Sequence, residues 1–176
     1  VGQPLPGVVI KRVSESGEDI TDPAAPGELA VKSRTAFREY WGNPESTEKA
    51  FADGWFLTGD IAVIDEGAYR ILGRASIDII KSGGYKLSAL EIEATLLEHP
   101  DVSEVAVIGV PDDEWGDIVA AAVVLANSVS EDDLVQWSRE RMSGYKVPRR
   151  WIFTDALPRN ALGKVTKPSL SAWFEG

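Results

Sequence analysis

No cysteine and only one histidine occur in this sequence of 176 residues. Without thiols there is no disulfide, no thiolate metal site and no thioester carried on the protein, so any thiol chemistry belongs to a substrate or cofactor. With His99 alone, followed directly by Pro100, neither a Ser-His-Asp relay nor a multi-histidine metal site can be assembled. His99 reads as a helix-end residue. Long apolar runs are missing as well: none approaches the roughly 20 residues that span a bilayer. Val1-Gly2-Gln3-Pro4 has neither the charged nor the apolar region of a signal peptide. Val1, which is not Met and soon enters a strand-like run, reads as a point inside a longer protein. Basic residues are scarce, with 18 Lys and Arg against 28 Asp and Glu and a net charge of −10. That balance argues against nonspecific nucleic-acid binding, which needs a basic footprint. The lack of cysteine is compatible with a reducing compartment, and localisation stays open between cytoplasm and mitochondrial matrix.

A hydrophobic content of 44% is enough to bury the core of one medium domain or two small ones. Residues 8–13 form a short apolar-biased run, Ser14-Glu15-Ser16-Gly17 supplies turn chemistry, and residues 27–33 resume a strand. Residues 61–65 and 69–72 flank Glu66-Gly67 as a hairpin. Between these pairs, Asn43-Pro44 opens a short helix over 45–51.

From Ser88 onward helices alternate with strands, which puts a domain boundary between Leu72 and Asp78. Ser88-Ala89-Leu90-Glu91 is a capping box, and Ile92, Leu96 and Leu97 give its helix an apolar stripe ending before Pro100. Residues 105–110 and 119–125 are buried-strand candidates. Ser130 caps a second helix through about Met142, with Leu134 and Trp137 on one face and Gly144 as its stop. Residues 151–153 form a further strand and 168–174 a closing helix. The expected class is α+β: a β-rich part, then a small domain with a short sheet covered by helices.

Three segments carry residue types beyond what folding needs. In Trp55-Phe56-Leu57-Thr58-Gly59-Asp60, a Gly-Asp pair follows an apolar run and precedes a strand. It is either a self-bonded turn or a carboxylate for a ribose diol. In Asp78-Ile79-Ile80-Lys81-Ser82-Gly83-Gly84-Tyr85-Lys86, paired glycines sit among basic residues before a capped helix. They serve equally as a hairpin turn or as a point of close approach to a ligand. In Pro158-Arg159-Asn160-Ala161-Leu162-Gly163-Lys164, a lysine follows glycine in a polar loop, where it can act as a point charge or stand idle in solvent. Around that loop, Lys146, Arg149, Arg150, Arg159, Lys164 and Lys167 face one acid, Asp155. This stretch reads as a solvated charged face or as a local anion site.

Taken together and in this order, the three segments resemble the later motifs of the adenylate-forming superfamily of acyl-CoA synthetases, adenylation domains and firefly luciferase. The resemblance runs from Gly2-Gln3-Pro4-Leu5-Pro6-Gly7 to the lysine loop. Phe37-Arg38-Glu39-Tyr40-Trp41, the 78–91 segment and Val107-Ile108-Gly109-Val110-Pro111-Asp112 are most similar to malonyl-CoA synthetases. The resemblance implies that residues 1–75 end the amino-terminal AMP-binding domain and that 76–176 form its mobile carboxy-terminal lid. It implies two half-reactions, in which a small carboxylic acid, malonate or a related dicarboxylate, attacks ATP and the CoA thiol then displaces AMP. Asp60 would hold the ribose hydroxyls with Arg74 in support. Ser76 falls at the hinge, where family members more often carry Asp or Lys. Lys164 would enter the site for adenylation. After rotation of the lid, Gly83 and Gly84 would line the pantetheine channel. Lys86, Arg149 and Arg150 are candidates for the CoA phosphates on local charge alone. Mg2+ would be held mainly by residues outside the chain, as would the phosphate loop and the acyl pocket, so catalysis by these residues alone is expected to fail. The alternatives are a peptide-synthetase adenylation domain loading a carrier protein and a non-catalytic binding or regulatory module.

Overall fold

The computed structural model describes residues 2–175, and the chain divides into two compact units, residues 1–76 and 77–176. In the first unit, strands β1 (Val8–Val13) and β2 (Gly27–Ser33) pair antiparallel, and helix α1 (Pro44–Ala50) follows. Asn43 caps α1 by accepting from the Ser46 N–H at 3.0 Å, and Pro44 takes the first helical position, where no N–H is needed. The helix begins and ends one residue earlier than the sequence suggests. Phe51 instead opens strand β3 (Phe51–Ala52), which turns through Asp53-Gly54 into β4 (Trp55–Asp65), itself followed by β5 (Ala68–Arg74).

The sheet runs β1-β2-β4, and β3 and β5 share the far edge of β4. Both β4 hairpins use two-residue turns in which each residue has positive φ, Asp53 and Gly54 at 49° and 77°, Glu66 and Gly67 at 47° and 77°. That geometry matches the twist of the flanking strands. Arg12 is buried, yet its guanidinium donates to the carbonyls of Pro23, Asp22 and Ala25 at 2.6–3.0 Å. The charge is thereby satisfied and the β1–β2 loop is clamped.

The second unit opens with the hairpin β6 (Ile79–Ser82) and β7 (Tyr85–Ser88), then helix α2 (Ala89–Leu97). Ser88 accepts from the Glu91 N–H at 3.2 Å, the N-cap expected from the capping box. Long antiparallel strands β8 (Val102–Asp112) and β9 (Gly116–Leu125) follow, then helix α3 (Glu131–Arg141) and strand β10 (Arg150–Phe153). The sheet order is β10-β9-β6-β7 with β8 also on β9; β10 lies parallel to β9, and α3 is the crossover between them.

Strand alternation splits the core in two. Val119, Ala121 and Val123 of β9 face Ile92, Leu96 and Leu134 of the helices. Ile118, Ala120 and Ala122 face Leu157, Leu170 and Phe174. Two expectations fail in detail. Helix α3 stops because Met142 turns to extended backbone, while Gly144 begins a short 3-10 turn. The closing segment, Lys167–Trp173, is a 3-10 helix with Pro168 in its first turn.

Candidate functional site

Asp60 does not precede a strand; it lies inside β4, at a bulge. Between Ala30↔Leu57 and Glu28↔Ile61 the register slips by two residues, so Thr58, Gly59 and Asp60 bow out of the β2–β4 ladder. Gly59 makes this possible with φ of 75°, a conformation that glycine adopts without a Cβ clash. The bow is fastened on both sides. The Gly59 N–H donates to Glu28 Oε1 at 2.8 Å, and the Thr58 hydroxyl donates to the Leu29 carbonyl at 2.9 Å. The Ala75 N–H donates to the Gly59 carbonyl at 2.9 Å. Asp60 pairs with Arg74 across the hairpin, and Arg74 Nε stands 3.2 Å from Asp60 Oδ1. The result is a partly exposed carboxylate of fixed direction beside a guanidinium. A carboxylate is acceptor-only and suits a vicinal diol, whose two hydroxyls donate. Ser76 follows in an exposed turn.

Gly83 and Gly84 form the β6–β7 turn, with φ of 55° and 82°. Their surroundings differ. A Cβ on Gly83 would stand 2.9 Å from the Trp115 ring, whereas one on Gly84 would meet nothing within 4 Å. Gly83 is therefore a packing residue, and Gly84 is the open one. Trp115 carries Arg149 on its ring, with the guanidinium carbon 4.1 Å from the ring centroid. Tyr85 and Tyr145 stack beside the turn at 4.7 Å and 6°. These aromatics were not singled out in the sequence; only the Asp112-to-Gly116 turn offered a signal for Trp115. Of the three CoA candidates, Lys86 lies opposite Lys81 in the hairpin. Arg149 lies on Trp115, and Arg150 donates to the Phe174 carbonyl at 2.6 Å. Neighbours in sequence, the two arginines are not brought together.

The lysine loop closes on itself. Arg159 and Val165 bridge, the Asn160 N–H donates to the Lys164 carbonyl at 2.9 Å, and the Thr166 N–H donates to Pro158 at 2.8 Å. Asn160 Oδ1 accepts from the N–H groups of Leu162 and Lys164, each at 3.0 Å, and Gly163 turns the chain with φ of 78°. The basic stretch around it is not one anion site. Lys146 is 3.1 Å from Glu91, Arg159 is 2.6 Å from Glu104, and Lys167 is 2.6 Å from Asp78 and 2.8 Å from Glu93. Acids from remote elements take up three of the six charges, and Arg150 is engaged by backbone. Among the described residues, the Lys164 side chain is exposed and makes no hydrogen bond or ion pair.

The Glu93 carboxyl is held above its ordinary value. Burial raises it above 4.5, against the lowering effects of the Lys167 ammonium and the Val107 N–H. His99 is buried, accepts from the Asp101 N–H at Nδ1 and lies edge-on to Trp137. No group of three or more His, Asp or Glu suited to a metal occurs among the described residues. The described residues by themselves do not fit a Mg2+ site. No helix among the described residues is long and apolar enough to cross a membrane.

Comparison with known proteins shows the family. Residues 91–164 match the AMP-binding enzyme C-terminal domain. The mitochondrial malonate–CoA ligase of Bos taurus is 45% identical over 97% of the chain and 33% of its own length. FadD13, a long-chain-fatty-acid–CoA ligase of Mycobacterium tuberculosis, is 46% identical over 82% of the chain and 29% of its own length. The crystal structure of ATP-bound MatB from Rhodopseudomonas palustris superposes with a TM-score of 0.88 at 37% identity, covering 99% of the chain and 35% of MatB. The chain thus spans about a third of the length of the relatives it matches.

Proposed function

From the premise that the chain belongs to the adenylate-forming family and carries its AMP-binding C-terminal domain, we propose that the whole protein is an ATP-dependent acyl-CoA ligase. Its acid is malonate or a related small dicarboxylate. The observation that carries the reading is the lysine loop: a self-closed turn, pinned by its flanking cations, that offers Lys164 unpaired. A group meant to meet charge arriving from elsewhere has to be both positioned and uncommitted.

In the first half-reaction a carboxylate oxygen attacks the α-phosphorus of ATP, the bond to the bridging oxygen breaks and pyrophosphate leaves. The Lys164 ammonium neutralises charge that builds on the attacking, equatorial and leaving oxygens. Asp60 accepts from the ribose hydroxyls, steered by Arg74. In the second half-reaction the CoA sulfur attacks the acyl carbon and AMP leaves. There the β6–β7 turn takes the place of the lysine loop, with Gly84 as the bare point past which pantetheine runs. Lys86, Arg149 and Arg150 contribute positive charge for the CoA phosphates. Unit 77–176 is the moving lid and Ser76 its hinge, where a small side chain leaves φ and ψ free to change. Malonate is supported by the malonate–CoA ligases among the relatives. A long-chain ligase is similar to a comparable degree, so the acid is expected to be read by residues outside this chain.

The test is pyrophosphate release and CoA-ester formation by the full-length protein with a panel of carboxylates, malonate expected to lead. Acyl transfer to a carrier protein but not to CoA would favour the peptide-synthetase reading, and no turnover with any acid would favour a non-catalytic module. The 176 residues alone are expected to form no acyl-adenylate.

A further inference from the structure

The two legs of the lysine loop are anchored differently. The incoming leg is held by Arg159, whose guanidinium is 2.6 Å from Glu104 with both side chains more than 40% exposed. An exposed pair of this kind holds little. The outgoing leg ends on Lys167, whose side chain is only 11% exposed. Its ammonium donates to Asp78 Oδ1 at 2.6 Å and sits 2.8 Å from Glu93 Oε1, and both acids are 14% exposed. Glu93 Oε1 also accepts from the Val107 N–H of β8 at 2.7 Å. One cation thus ties three parts of the unit to the loop: the turn before β6, helix α2 and, through Glu93, the central sheet.

This arrangement exceeds what a loop needs to be stable. Two carboxylates around one ammonium leave a mostly covered excess of negative charge, and a well-packed apolar contact would serve stability as well or better. What the ions supply is direction. An ammonium held by two acids of fixed position cannot slide as an apolar contact can, and only Val165 and Thr166 separate Lys167 from Lys164. Three residues of chain reach at most about 10 Å, and the Asn160 bonds remove most of that slack. Resting on the reading of Lys164 as the adenylation lysine, we propose that Lys167 is a positioning residue for adenylation, fixing the site of Lys164 through Asp78 and Glu93. Misplacement of a reacting group by about 1 Å costs on the order of 100-fold in rate, so even partial loosening is measurable.

The test uses the full-length protein and follows the half-reactions separately: pyrophosphate release from acid and ATP, and CoA-ester formation from supplied acyl-adenylate. Lys167→Met is expected to lower the first at least tenfold and to leave the second within about twofold, and Lys167→Arg to restore the first. A merely structural role lowers both in parallel or neither, and that result overturns the proposal. Because Lys167→Met strands two mostly covered acids, the neutral set Lys167→Met, Asp78→Asn and Glu93→Gln is measured beside it, with the same split expected; failure of both variants to fold overturns the positioning role. Lys164→Ala separates the two claims. If it leaves adenylation intact, the catalytic reading falls and positioning with it. If it abolishes adenylation while the Lys167 variants show no split, positioning alone is overturned.

Discussion

Lys164 is exposed and Glu93 is mostly covered, and each is tested by removing its charge. Lys164 has nothing to lose structurally: exposed and unpaired among the described residues, it can be truncated without stranding a partner. Lys164→Ala is expected to cost adenylation about 3 kcal/mol, or more than 100-fold, as for loss of one preorganised donor. Thioester formation from supplied acyl-adenylate should survive, and equal loss of both half-reactions would remove Lys164 from its role. For Glu93 the prediction concerns stability. A carboxyl raised above 4.5 by burial binds its proton more tightly folded than unfolded. The stability it contributes is full below 4.5 and is lost as pH rises through the raised value. Glu93→Gln keeps an acceptor for the Val107 N–H and leaves Lys167 paired with Asp78. The variant should therefore gain on the parent protein as pH climbs through that window, measured as the difference in urea midpoints. A difference that stays flat with pH would mean that burial does not govern this group.

At the scale of elements, the β6–β7 turn separates packing from function within one dipeptide. Gly83 is required by Trp115, but space around Gly84 is open, so a side chain there meets no neighbour in this unit. Any L-residue at its φ of 82° carries about 1–2 kcal/mol of strain. Gly84→Ala and Gly84→Leu share that strain and differ in bulk. Gly84→Leu is expected to stop CoA-ester formation with pyrophosphate release intact, and Gly84→Ala to retain part of the ester synthesis. Equal ester yields from the two would show that bulk at this point is irrelevant.

Other elements divide by whether their cause is local. The N-caps of α2 and α3, the β8 and β9 runs and the Glu66-Gly67 hairpin were legible because caps, alternation and turn residues are written in adjacent positions. The Asp53-Gly54 hairpin is written just as locally, in a turn pair directly between β3 and β4. The bow at Thr58-Gly59-Asp60 was not legible, because a bulge depends on the partner strand's register as well as its own sequence. Nor was the fate of the basic stretch. Lys167 finds Asp78 at a separation of 89 residues and Arg159 finds Glu104 at 55, so counting acids within the stretch could not decide between a solvated charged face and an anion site.

Across the whole molecule, the two units invest differently in their interiors. The first buries few apolar side chains, among them Val13, Leu29, Ala30, Ala62, Val63 and Leu72, while the second builds a cluster on each face of its sheet. What could be read of the candidate site follows the same division. The Gly-Asp, Gly-Gly and Gly-Lys segments were visible as sequence, since glycine marks backbone that side chains forbid. Their supports, Glu28 under Gly59 and Asn160 under Lys164, emerged only from geometry.

The three alanines at the centre of β9, residues 120–122, are fully buried between the two clusters. Ala120 is the ladder partner of Arg150, whereas Ala121 belongs to the helix-facing cluster, away from the groups assigned to chemistry. Ala121→Val would overfill the helix-facing layer at a cost of about 1–3 kcal/mol. Molecules that do fold should keep their turnover number, while the cell's quality control removes the excess that do not. In a heritable variant the defect would then be one of dosage: a normal kcat per folded molecule and a lowered steady-state level, partly recovered by growth at reduced temperature. Normal abundance of Ala121→Val with a lowered kcat would contradict it.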